Sequence, residues 1–140
     1  MTGLVIDTSV AVKWFSREPD TPAALELRDR LFRRDVRLLA PDLLLFELAN
    51  ALRFNPRFTA DDVKEAVDSV SDLGLEFRAA DAELLRHATE LALRFNVTVY
   101  DAAFLALAAL SGLNLLSADG KLIARAAGFP RIFRLGEKLP

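Results

Sequence analysis

Four acidic residues interrupt the most apolar stretches of the chain. Asp7 directly follows the run Leu4-Val5-Ile6, and a helical pattern starts immediately behind it. Glu47 breaks into LLLFELANALRF, Asp101 opens YDAAFLALA, and Asp119 follows Leu113 to Leu116 through Ser117-Ala118. Each has a plain structural explanation. Asp7 can cap a helix by accepting a free backbone N–H, and Asp119-Gly120 is a common turn pair. Asp101 completes a Thr98-x-x-Asp101 pattern that resembles a capping box, and acids favour the first helical turn. Glu47 falls with Asp42, Asn50 and Arg53 on a helical stripe about 140° wide, the pattern of a solvated face. Within that stripe Asn50 lies three residues beyond Glu47, a spacing that suits a carboxylate held by an amide.

A shared pocket is the alternative that gives all four one cause. Asp7 and Asp119 leave the C-terminal ends of the two clearest apolar strands, and in a parallel sheet those ends lie on one edge. Glu47 and Asp101 occupy early helical positions that can face the same edge. Such a cluster is costly, because two like charges 4 Å apart repel by about 4 kcal/mol at an effective dielectric of 20. The carboxylates would raise one another's pKa or draw in a cation. With carboxylates as the evident ligands, that cation is Mg²⁺ or Mn²⁺ rather than zinc. Its chemistry suits phosphodiester hydrolysis, by acidifying an attacking water and neutralising phosphate charge.

Composition narrows the alternatives. The 140 residues fit one domain, 1–140, with a real core, and 52% are apolar against 27% charged. There is no cysteine and one histidine, His87, so disulfides, thiolate nucleophiles, Cys-type zinc sites and most catalytic triads are excluded. The net charge of −2 argues against a general nucleic-acid coat protein but little against a nuclease with an acidic site. Five arginines stand against two acids between Arg28 and Arg37, which reads as a solvated helix flank more readily than a phosphate-binding surface. No signal peptide is visible, and the run Ala102 to Leu110 is far short of a membrane span. A soluble, cytoplasmic protein is expected.

The elements that must position the acids alternate strand and helix. Strands are expected at Leu4–Ile6, Val36–Leu39, Leu75–Phe77, Leu113–Leu116 and, at an edge, Arg131–Leu135. Helices are expected from Ser9 to Phe15, from a Thr21 cap with Pro22 first to Arg34, and from Pro41 to Phe54. Others run from Thr59 to Leu73-Gly74, from Asp81 to Phe95, from Thr98 to Ser111 with Gly112 as its stop, and from Asp119-Gly120 to Gly128. Short strands separated by helices imply βαβ units, a mostly parallel sheet and a three-layer α/β/α sandwich.

VIDTSVAVKWF, PDLLLFELANAL, YDAAFLALA and LLSADGKL, in this order and spacing, resemble the PIN-domain family and, within it, the VapC-like toxins of bacterial and archaeal toxin–antitoxin pairs. The resemblance covers nearly the whole chain. It implies a metal-dependent endoribonuclease whose four acids match Asp7, Glu47, Asp101 and Asp119, with Mg²⁺ or Mn²⁺ as cofactor. It also matches Thr8, with Ser9 beside it, Ser117 and Asn50 to residues that orient ligands or bind phosphate. A homodimer and a small protein antitoxin, laid as a helix or extended segment into a groove, are implied as partners, with RNA as substrate. The region from Arg53 to Leu75 matches no motif. Lys13 and Arg17 could reach a phosphate or face solvent; His87 reads as a surface or packing residue, and Trp14 and Phe15 as core or interface aromatics. A catalytically idle PIN-fold binding module is the main alternative. A receiver-type signalling domain fits less well, because Thr8-Ser9 stands where paired acids belong and the last strand lacks its lysine until Lys138. A dehalogenase-type phosphatase would need D-x-D after the first strand.

Overall fold

The computed structural model describes residues 1–139. Its elements are β1 (Thr2–Ile6), α1 (Thr8–Val12), α2 (Thr21–Phe32), β2 (Val36–Pro41), α3 (Leu43–Arg53) and α4 (Ala60–Asp72), followed by β3 (Glu76–Arg78), α5 (Ala82–Phe95), α6 (Val99–Ser111), β4 (Asn114–Ser117), α7 (Gly120–Arg125) and β5 (Ile132–Arg134). The strands form one sheet in the order β3-β2-β1-β4-β5, and every pairing is parallel. Helices flank it in the expected α/β/α arrangement. The order differs from the 2-1-3-4-5 of receiver domains.

Strand order reverses at β1. The chain moves outward from β1 to β2 and β3, then returns to place β4 on the other side, with Ile6 beside Leu116. Open α/β sheets bind ligands at such a reversal, outside the carboxyl ends of the strands. Asp7 and Ser117 to Asp119 emerge there. Both central strands are buried runs, as strands covered on two faces must be: Val5, Ile6 and Leu115 are wholly inaccessible.

Helix α6 supplies much of the core. Every residue from Ala102 to Ala108 is buried, and the helix packs on β1, β2, β4 and α5. Small alanines let it approach closely, and Phe104, 2% exposed, fills the space beneath the strand ends. The run reads as apolar because it is packed on all sides; no single helix among the described residues is long and apolar enough to cross a membrane. Its ends are firm. Thr98 accepts the N–H of Asp101 at 3.0 Å, and Gly112 closes the helix at φ +69°, a conformation that suits glycine. Thr59 and Asp62 form a reciprocal capping box on α4.

Several boundaries differ from the expected ones. α1 ends at Val12, because Trp14 and Phe15 bond back to Ala11 and Val12 three residues earlier, and the Trp14 indole donates to the Ala24 carbonyl at 2.8 Å. Asp20, not Thr21, holds the N-cap position of α2; the Thr21 hydroxyl instead accepts from the Glu18 N–H and donates to the Ser16 carbonyl. Pro41 ends β2 instead of opening α3. α7 stops at Arg125, three residues before Gly128, and β5 is trimmed to three residues.

Phe104→Ala should cost about 3–5 kcal/mol, the usual cost of hollowing a packed aromatic site, measured as a lower urea midpoint with an unchanged slope.

Candidate active site

Asp7 occupies the N-cap position of α1, yet its side chain makes no capping hydrogen bond. Both carboxylate oxygens are taken elsewhere. The Ser9 hydroxyl donates to Oδ1 and the Ser117 hydroxyl to Oδ2. Each serine also accepts a backbone N–H from the turn after β4: Ser9 that of Ala118 at 2.8 Å, Ser117 that of Asp119 at 3.0 Å. The carboxylate is thereby fastened to the neighbouring strand's exit while only 5% exposed. Burial pushes its pKa up to about 6; hydrogen bonds from Ser117 and Ser9 pull it down, and the charge of Asp119 pushes it up again.

Glu47 projects from α3, half-buried, and accepts the Thr8 hydroxyl on Oε1 at 2.7 Å. The solvated-face reading therefore fails for Glu47. Burial raises its pKa, Thr8 lowers it, and the charge of Asp101 raises it. The Glu47–Asn50 pairing does not form, because Asn50 Oδ1 accepts from Arg53 Nε at 3.1 Å, one helical turn further on.

Asp101 sits in the first turn of α6. Its pKa is raised by burial and by Asp119, against relief from Thr98 and Arg125. Asp119 does cap its helix: Oδ1 accepts the N–H groups of Lys121 and Leu122 at 3.0 and 3.2 Å. Both capping bonds fall on one oxygen.

Asp7, Thr8, Ser9, Glu47, Asn50, Asp101 and Asp119 line one open cleft of about 260 Å³, with Ala51 and Phe104 completing its wall. Ser117 lies buried behind it, bonded to Asp7. All eight sequence-derived site residues thus belong to one constellation. A larger groove, about 460 Å³, lies at the opposite, N-terminal end of the sheet around Phe32, Val36 and Leu73; the acid it shares with β3, Glu76, is neutralised by Arg37 at 2.8 Å.

The cleft fits a hard cation by donor chemistry, since its carboxylates and hydroxyls are all oxygen donors and three of the acids have raised pKa values. Among the described residues, however, no group of three acidic or histidine side chains is arranged to hold an ion directly. The two oxygens of Asp7 are already engaged by serines. The arrangement is one of carboxylates standing around a gap.

Sequence spacing did not flag Arg125. Its guanidinium bonds the Asn96 carbonyl at 3.0 Å, and its charge is felt by Asp101. A lone arginine six residues beyond Asp119 carries no periodic signal. Lys13 is not free to meet a phosphate: Glu18 and Asp20 bind it at 2.7 and 3.0 Å. Arg17 and His87 are exposed, Trp14 is buried, and Phe15 packs against the core. In the Arg28–Arg37 stretch, ion pairs with Asp29, Asp35 and Glu76 match a solvated flank.

The PIN domain family profile matches residues 4–128. Ribonuclease VapC3 of Pyrobaculum aerophilum is 34% identical over 123 residues, covering 85% of this chain and 91% of the relative. The chain therefore belongs to the PIN-domain family. Two solved structures share the fold at low identity. A toxin–antitoxin complex from Klebsiella pneumoniae superposes with a TM-score of 0.69 at 16% identity, covering 96% of this chain and 99% of the other. Mycobacterium tuberculosis VapC20, a toxin that cleaves the sarcin-ricin loop, gives 0.68 at 20% identity, with 91% and 97% covered.

The raised pKa of Asp7 makes stability depend on pH in the metal-free protein. Below pH 3.8 the acid is neutral whether folded or unfolded, so burial costs nothing; as pH rises past about 6 the full cost, about 3 kcal/mol, is reached. Asp7→Asn should therefore stabilise the protein in EDTA by about 2–3 kcal/mol at pH 8, one serine having to turn its hydroxyl. The gain should vanish near pH 3.5, as followed by urea melts at the two pH values.

Proposed function

We propose that this chain is a divalent-metal-dependent endoribonuclease and the toxin of a toxin–antitoxin pair, acting in the cytoplasm. The observation that carries the reading is the convergence of Asp7, Glu47, Asp101 and Asp119, from four separate elements, on one cleft at the sheet's reversal point. The family membership and the ribonuclease relative support it. Asp7, Glu47, Asp101 and Asp119 would hold Mg²⁺ or Mn²⁺ with waters completing its shell, as Mg²⁺ commonly requires. When bound, the ion supplies a more acidic water and charge neutralisation at the phosphate.

The chain's own groups do the remaining work. Ser9 and Ser117 keep Asp7 ionised and fixed against the cost of its burial. Thr8 fixes Glu47 by one oxygen, Oε1, leaving Oε2 free to serve as a ligand. A positive charge in the cleft would lower all the raised pKa values together, so ion binding and deprotonation favour each other.

A protein antitoxin and a second copy of the chain are the partners proposed. Phe32, Phe46 and Leu93 are each more than three-quarters exposed, which supports covered faces in an assembly.

The absence of a direct three-acid ligand set among the described residues favours one other reading, an idle PIN-fold binding module. Two measurements separate them. Asp101→Asn should retain the fold by circular dichroism while losing at least about 100-fold in cleavage of single-stranded RNA, the scale of one lost electrostatic or acid–base contact. Unchanged cleavage, or full activity in excess EDTA, rejects the metal mechanism. Millimolar Mn²⁺ should raise the melting temperature at pH 7.5, and Asp119→Asn should blunt that rise; ion binding without any RNA turnover would favour the idle module.

A further inference from the structure

The cleft face of α3 continues past the acids. Glu47, Asn50, Ala51 and Phe54 are spaced i, i+3, i+4 and i+7, which places them on one helical stripe; the first three line the cleft. Phe54, the C-cap residue, is 68% exposed, and the Arg53 guanidinium lies over its ring at 4.2 Å from the centroid. Arg53 is anchored by Asn50 Oδ1, a neutral acceptor, at 3.1 Å. No carboxylate among the described residues forms an ion pair with it, so its charge and remaining N–H donors stay available. Along the helix axis Phe54 stands about 10 Å beyond Glu47, one nucleotide's reach from the acids.

An exposed aromatic under a guanidinium plane, with an unspent positive charge, at the rim of an acidic cleft in a chain of net charge −2, is chemically suited to a nucleotide. Bases stack on aromatic rings and on arginine planes, but only when they are unpaired. Arg53 would meet the adjoining phosphate, a contact that a planar fork of donors makes well.

From this geometry we infer that Arg53 and Phe54 form a subsite for an unpaired nucleotide flanking the cleavage point. The inference rests on the ribonuclease reading. Phe46, also exposed, lies four residues before Asn50 on the same side of α3, but it does not line the cleft.

The test measures binding of a short single-stranded oligoribonucleotide carrying 2-aminopurine, with Mn²⁺ present, in the Asp101→Asn background. Phe54→Ala should weaken binding about tenfold or more and restore the probe's fluorescence, which stacking quenches. Phe54→Trp should bind at least as well as the parent, Phe54→Leu should resemble Phe54→Ala, and Arg53→Ala should reduce the salt dependence of binding. A duplex of the same sequence should bind poorly and ignore Phe54. Melting temperatures of the variants serve as the control for folding. Equal binding by Phe54→Ala overturns the subsite while leaving the ribonuclease reading intact. Parental affinity in Phe54→Leu also overturns it, assigning the ring to apolar contact with a protein. If the parent binds no RNA at all, and the chain carrying Asp101 cleaves none, both readings fall.

Discussion

The site depends on how one carboxylate is held. Asp7 is buried at the exit of β1, and two serines suspend it between that strand and the turn following β4. Without those hydroxyls a buried charge would have no partner except solvent it cannot reach, an arrangement that proteins avoid by neutralising the group. With them the acid becomes a cross-brace. It fixes how two parallel strands that are distant in sequence present their ends, and it does so where strand order reverses. The other three acids are more exposed and more loosely tied: Thr8 holds one oxygen of Glu47, Thr98 accepts the main-chain N–H of Asp101, and one oxygen of Asp119 takes two N–H groups of the first turn of α7.

That contrast orders the energetics. The deepest acid has its charge opposed most strongly by burial, and the three around the open cleft add mutual repulsion that water partly screens. The fold tolerates this because its core is independent of the cleft. α6 seals β1, β2 and β4 with an unbroken block of buried apolar residues, and Phe104 alone belongs to both core and cleft wall. Strain at the acids is thus backed by a rigid floor, the usual way in which functional groups are kept in costly positions.

Much of this was legible before folding. The buried runs of β1 and β4, the helix starts at Thr59 and Thr98, and the stop at Gly112 are all local signals, and each appears in the structure. The convergence of the acids followed from a rule about parallel sheets. What was hidden depended on partners remote in sequence. Whether Asp7 capped its helix depended in part on Ser117, 110 residues away, which takes one of its two oxygens. Asn50 looked like a companion for Glu47, but Thr8 claimed the glutamate across 39 residues and Arg53 claimed the amide. Helix ends at Val12 and Arg125 were missed for the same reason, being set by side-chain anchoring and tightened turns in place of a glycine or proline.

The two outermost strands, β3 and β5, are three residues long. Each presents almost no unpaired main chain to a neighbour, and at β3 the glutamate that opens the strand is clasped by Arg37 from the next strand inward. Sheet extension from one molecule into another is closed off at both borders, a common defence against runaway aggregation. With the borders of the sheet so short, a protein neighbour finds more apolar surface on the helices, where Phe32, Phe46 and Leu93 stand exposed.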